Sequence, residues 1–203
     1  MADLLTEADK RQLLTLARQA LEAAVNRRPV PPVDESTLSE AVLRLGCCFV
    51  TLTRHGDLRG CIGALQPMEP LFEDVRQHAV QAALEDYRFS PVTPTEVPHL
   101  QIEISVLSEP QPLAYEKPED LLRLLRPEVD GVVLREGLHR ATFLPQVWEH
   151  LPDPRQFLGA LCEKMGVPAD TWCHTKMGVQ TYQVEKFTEA EFRPRLQTAD
   201  GDR

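Results

Sequence analysis

A chain of 203 residues with 42% apolar and 26% charged content is long enough to bury a core of its own and too apolar to stay disordered. Its formal net charge of −9 disfavours a nucleic-acid backbone as partner unless basic residues cluster, and no apolar run approaches the ~20 residues of a membrane-spanning helix. The five cysteines, Cys47, Cys48, Cys61, Cys162 and Cys173, are odd in number and contain no Cys-x-x-Cys pair, against both a disulfide framework and a zinc ribbon.

The N-terminus carries Asp3, Glu7 and Asp9 where a secretory signal would be basic and apolar, so a cytoplasmic location is expected. Thr6 with Asp9 three residues on resembles a capping box, and Leu13, Leu16, Ala17, Ala20, Leu21 and Ala24 recur at helical spacing. Pro29, Pro31 and Pro32 then enforce an extended connector. Residues from Cys47 to Thr53 are rich in β-formers, and Arg54-His55-Gly56-Asp57 is the turn of a β-hairpin. A helix is expected from about Pro70 to Glu85, buried through Leu71, Phe72, Val75, Ala79, Ala82 and Ala83, with His78 at the margin of that stripe.

The loop Asp86-Tyr87-Arg88-Phe89-Ser90-Pro91 follows. It reads equally as a second wall for a site and as a helix exit in which Asp86 and Arg88 satisfy backbone groups. Leu100 to Leu107 alternates as a half-buried strand. Pro118 to Leu125 is a short helix, and Gly131 to Leu144 is a second hairpin turning at Glu136-Gly137. Asp153-Pro154 starts a helix that runs to Met165 and stops at Gly166. One last strand is expected within Met177–Phe187. Single helices between hairpin-joined strands suggest an α+β fold on a largely antiparallel sheet with flanking helices.

One stretch carries residue types chosen for a site: Asp57-Leu58-Arg59-Gly60-Cys61-Ile62-Gly63. Strict strand alternation puts Leu58, Gly60 and Ile62 on one face, and Arg59, Cys61 and Gly63 on the other. A guanidinium beside a thiol favours the thiolate, and glycines admit close approach by a ligand or another backbone. The competing assignments are a small buried cysteine in a tight strand, an Arg59 ion pair with Asp86 or Glu103, and glycines present for packing alone. The only nearby histidines are His55, in the turn, and His78. Cys173 and His174 are adjacent but lack a metal-ligand spacing, so no metal site and no cofactor is expected.

Leu58-Arg59-Gly60-Cys61-Ile62-Gly63 resembles the hallmark hexapeptide of the AMMECR domain family. Asp86-x-Arg88-Phe89-x-Pro91, Ile104-Ser105-Val106-Leu107, Asp130-Gly131-Val132, Leu144-Pro145-Gln146-Val147 and Leu161-Cys162-x-Lys164-x-Gly166 are similar to that family's landmarks, in its order. The resemblance implies one domain over residues 1–195 with a larger and a smaller subdomain and the hexapeptide near the cleft between them; the polar residues at the end suggest a flexible tail over 196–203. It extends to the A component of the AmmeMemoRadiSam system, which implies a Memo-like protein and a radical S-adenosylmethionine protein as partners. It assigns Cys47 and Cys48 no role and requires no histidine at His78.

Two readings of function follow, with a third behind them. In the first, Cys61 is catalytic, and Arg59, Gly60, Gly63, Asp86 and Arg88 bind a small anionic substrate. In the second, the chain is a non-catalytic adaptor or ligand-binding partner of the other two proteins. The third is RNA binding through Arg59, Arg88, Arg123, Arg126, Arg135 and Arg140, lowered by the acidic net charge.

Overall fold

A computed structural model describes residues 5–192; the tail expected over 196–203 lies outside them. The chain divides into two compact units, one formed by residues up to Val106 and from Lys186 on, the other by Leu107–Glu185.

The first unit opens with α1, Glu7–Val25. The Asp9 amide donates to Thr6 Oγ1 at 3.2 Å and the Thr6 amide to Asp9 Oδ2 at 2.9 Å, so aspartate closes the capping box usually closed by glutamate. Leu13, Ala17, Ala20 and Leu21 are buried as their spacing predicts, joined by Leu14, Ala23 and Val25. After the proline connector comes a short α2, Glu40–Leu43, capped by Ser39 and not foreseen from the sequence.

Strands β1, Leu45–Arg54, and β2, Asp57–Gly63, form the expected hairpin. Its two-residue turn has φ of 55° at His55 and 93° at Gly56, the positive pair of a tight turn whose twist matches the strands it joins. The two-residue β3, Glu69–Pro70, pairs with the start of β1. Helix α3, Leu71–Leu84, follows and packs its stripe of Leu71, Phe72, Val75, Ala79, Ala82 and Ala83 across β1 and β2. Strand β4 is Leu100–Leu107.

In the second unit, β5 (Gln111–Pro112), α4 (Leu121–Leu124), β6 (Gly131–Glu136), β7 (His139–Phe143), α5 (Pro154–Met165), α6 (Thr171–His174) and β8 (Gly178–Tyr182) follow in order. Their four strands run β5-β8-β6-β7, every pair antiparallel. The core under them is centred on Trp148 stacked on Phe157, ring centroids 3.7 Å apart. Asp153 caps α5, and Gly166 ends it at φ 86°, where a side chain would be strained.

The chain then returns to the first unit as β9, Val184–Thr188, and ends its described part in α7, Glu189–Phe192. The first sheet has the order β2-β1-β4-β9, with β3 beside β1. The single final strand expected over Met177–Phe187 is therefore two strands in two sheets. They part at Gln183, whose amide leaves the ladder to donate to Ser108 Oγ at 2.9 Å. The α+β class stands, built on two sheets where the sequence suggested one. Among the described residues no helix is long and apolar enough to cross a membrane.

Candidate functional site

Strand β2 is the edge of its sheet, and its register against β1 slips. Thr51 faces Cys61 and Leu52 faces Gly60, but Thr53 faces Leu58. Arg59 is the extra residue of a β-bulge. Cys61 and Leu58 thus share the face of Thr51 and Thr53, and the even alternation that grouped Leu58 with Gly60 and Ile62 does not hold.

Gly60 lies on the opposite face, against α3. A Cβ there would stand 2.1 Å from the Ala82 carbonyl oxygen, and one on Gly63 would stand 2.4 Å from both the Cys48 carbonyl oxygen and the Phe49 ring. These glycines let the strand touch its neighbours directly.

An edge strand presents unpaired backbone groups. For Cys61 they are taken by side chains: its amide donates to Asp86 Oδ2 at 2.8 Å, and its carbonyl accepts from Arg88 Nη2 at 3.2 Å. Asp86 and Arg88 together imitate the acceptor and donor of a neighbouring strand. The Asp86 carboxylate is buried and receives Arg88 Nε at 2.9 Å and Nη2 at 2.6 Å. The Arg88 guanidinium, then the Cys61 amide, hold its carboxyl far below the usual carboxylate range.

Arg59 makes a second two-pronged pair, Nε to Glu96 Oε1 at 2.9 Å and Nη2 to Oε2 at 3.2 Å. Its partner is thus neither Asp86 nor Glu103. The Glu96 carboxylate also accepts from the amide and hydroxyl of Thr93, each at 2.9 Å, and its pKa is pushed down to about 2, chiefly by Arg59. The Phe89 ring lies beneath both guanidiniums, 6.0 Å from Arg59 Cζ and 5.5 Å from Arg88 Cζ, within cation–π range. Phe89 is half-buried, shared between the two arginines.

Cys61 itself is half-buried, and Thr51 Oγ1 donates to its Sγ at 3.3 Å. Among the described residues no histidine hydrogen-bonds that sulfur: His55 sits in the turn beside His99, and His78 pairs with Asp74. The structure therefore brings Arg59, Gly60, Cys61, Gly63, Asp86 and Arg88 together, adds Glu96 and Thr51, and among the described residues places no histidine at the Cys61 sulfur. Glu96 was missed because its link to Arg59 is a long-range pairing with no local signal. Of the arginines an RNA site would use, Arg59, Arg88, Arg123 and Arg126 each face a carboxylate.

A second constellation lies on the α3 side of β1. Asp74 and His78 share one face of α3 at i, i+4 spacing and meet Cys48 of β1. His78 Nδ1 is 3.1 Å from Asp74 Oδ2, which also receives the Cys48 amide at 2.9 Å, while Cys48 Sγ is 4.0 Å from the same His78 nitrogen. Burial, then the Asp74 charge, raises the Cys48 thiol well above its ordinary pKa and that of Cys47 to about 11. Both histidine contacts fall on one ring nitrogen, so this is not the relay of a nucleophile, base and orienting acid.

The chain is similar to known proteins over nearly its whole length. A protein of Methanothermobacter thermautotrophicus is 36% identical over 186 residues, covering 91% of this chain and 96% of the relative. A protein of Thermococcus onnurineus is 38% identical over 87% of this chain and 88% of its own. The crystal structure of the uncharacterized protein PH0010 from Pyrococcus horikoshii matches with a TM-score of 0.74 at 30% identity, covering 92% of this chain and 94% of that one. The AMMECR1 family model matches residues 14–187, and the chain belongs to the AMMECR1 family.

Proposed function

We propose that the chain is a non-catalytic partner protein that docks through the outer face of the β1–β2 hairpin and the Asp86–Phe89 turn onto the proteins implied by its likeness to the AmmeMemoRadiSam A component. The observation that carries this reading is the use of the charged groups around Cys61. Asp86 and Arg88 are engaged with each other and with its backbone, and Arg59 is engaged with Glu96. Such groups brace a surface; they are not waiting for a substrate. On this frame Tyr87 is 94% exposed and Leu58 44% exposed, and the Arg88 side chain is 43% exposed. Tyrosine and arginine are the residue types that anchor protein interfaces most often.

The test is to mix the chain with the Memo-like protein and with the radical S-adenosylmethionine protein and to follow complex formation by light scattering. A complex with at least one of them is expected, weakened about tenfold or more by Leu58→Glu or Tyr87→Ala at unchanged thermal stability. If neither protein binds, or if both variants bind like the wild type, the docking reading is wrong. A second reading, in which Cys61 forms a covalent bond to substrate, draws on the half-exposure of the thiol and the Thr51 hydroxyl at its sulfur. Thiol alkylation separates the two, as described below.

A further inference from the structure

We infer that Cys48, Asp74 and His78 form a binding site for a divalent transition-metal ion of the zinc class. Each residue offers one ligand atom, and the three atoms lie within 4.8 Å of one another. A tetrahedral zinc with ordinary bond lengths would set nitrogen and oxygen ligands ~3.3 Å apart and sulfur and nitrogen ~3.6 Å apart. The observed separations are 3.1 Å for His78 Nδ1 to Asp74 Oδ2 and 4.0 Å for Cys48 Sγ to His78 Nδ1. The third separation, Cys48 Sγ to the Asp74 oxygen, lies within 4.8 Å, so seating the ion takes a movement of the Cys48 sulfur toward the Asp74–His78 pair of up to about an ångström.

The elements suit the task, because β1 and the i, i+4 face of α3 are regular backbone packed in the core, and rigid elements hold ligands better than loops. The Cys48 amide, donating to Asp74 Oδ2, orients the carboxylate as outer-shell donors do in metal sites. Charge points the same way. A dication facing one carboxylate and one thiolate gives zero net charge, and coordination sends the thiol proton to solvent. A sulfur, nitrogen and oxygen donor set selects zinc or cobalt over magnesium or calcium. Cys48 is fully buried, whereas the His78 side chain remains 12% exposed, which gives the ion a way in from the histidine side and leaves a fourth position for water or another ligand.

Cobalt(II) is the probe, added to metal-stripped full-length protein. Binding of about one equivalent is expected, with the thiolate-to-cobalt charge-transfer band and the strong visible bands of a tetrahedral site, displaced by zinc. Cys48→Ser is expected to lose the charge-transfer band, while Cys61→Ser and Cys173→Ser keep it. Circular dichroism confirms that each variant is folded. Should Cys48→Ser fail to fold, His78→Gln takes its place, with zinc binding at least about tenfold weaker expected in chelator competition. Wild-type protein without a thiolate–cobalt band, a folded Cys48→Ser that keeps it, or a His78→Gln that binds zinc like the wild type would each overturn the assignment.

Discussion

Cys61 is set by what surrounds it. Its backbone is held on both sides by Asp86 and Arg88, its sulfur accepts from Thr51, and no histidine reaches it among the described residues. We therefore expect iodoacetamide to label Cys61 at pH 6 to 7 no faster than a free thiol, read by mass spectrometry of the peptide. Much faster labelling would revive the catalytic reading. Gly60 gives a stability prediction: Gly60→Ala places a Cβ 2.1 Å from a helix carbonyl oxygen, which neither element can yield cheaply, and should lower unfolding free energy by about 1–3 kcal/mol in urea. The residue types of this site were legible in the sequence, because glycine, cysteine and arginine in seven consecutive positions are unusual. The face taken by Leu58 was not legible, because a bulge at Arg59 carries no composition signal and shifts the alternation at that point.

At the scale of elements, Asp86 and Arg88 act as a cap on the edge strand. Asp86→Ala removes the acceptor of the Cys61 amide and the carboxylate that orients Arg88, so amide exchange at Cys61 should quicken at least about tenfold while exchange in β8 stays unchanged. Equal protection in the variant would mean that the turn does not hold the strand. Glu96 adds a pH dependence. Its folded pKa, about 2, lies below the ordinary 4.5, so the stability it provides is complete above pH 4.5 and is lost as pH falls from there to about 2. Glu96→Gln should cost on the order of 1–2 kcal/mol at neutral pH, the outer side of the pair being screened by water, and should flatten the acid limb in that window. An unchanged acid limb would contradict the pairing. Most elements could be read in advance from stripes, caps and turn residues. The division of the last strand could not, because it depends on Gln183 finding Ser108, 75 residues away in sequence.

The whole molecule is two compact units, each with its own sheet and core. The bracing of Cys61 and the Cys48, Asp74 and His78 constellation both belong to the first unit. Family membership was legible because six short blocks occur in order along the chain. The metal-like constellation was hidden because its residues lie 26 and 30 positions apart and meet only when α3 packs on β1. The central claim, a braced docking surface in which Cys61 is structural, is tested most directly by measuring the affinity of the wild type, Cys61→Ala and Tyr87→Ala side by side for whichever of the Memo-like and radical S-adenosylmethionine proteins the wild type binds. The account predicts that Cys61→Ala binds like the wild type and Tyr87→Ala about tenfold more weakly. Loss of binding in Cys61→Ala with Tyr87→Ala unaffected would contradict it.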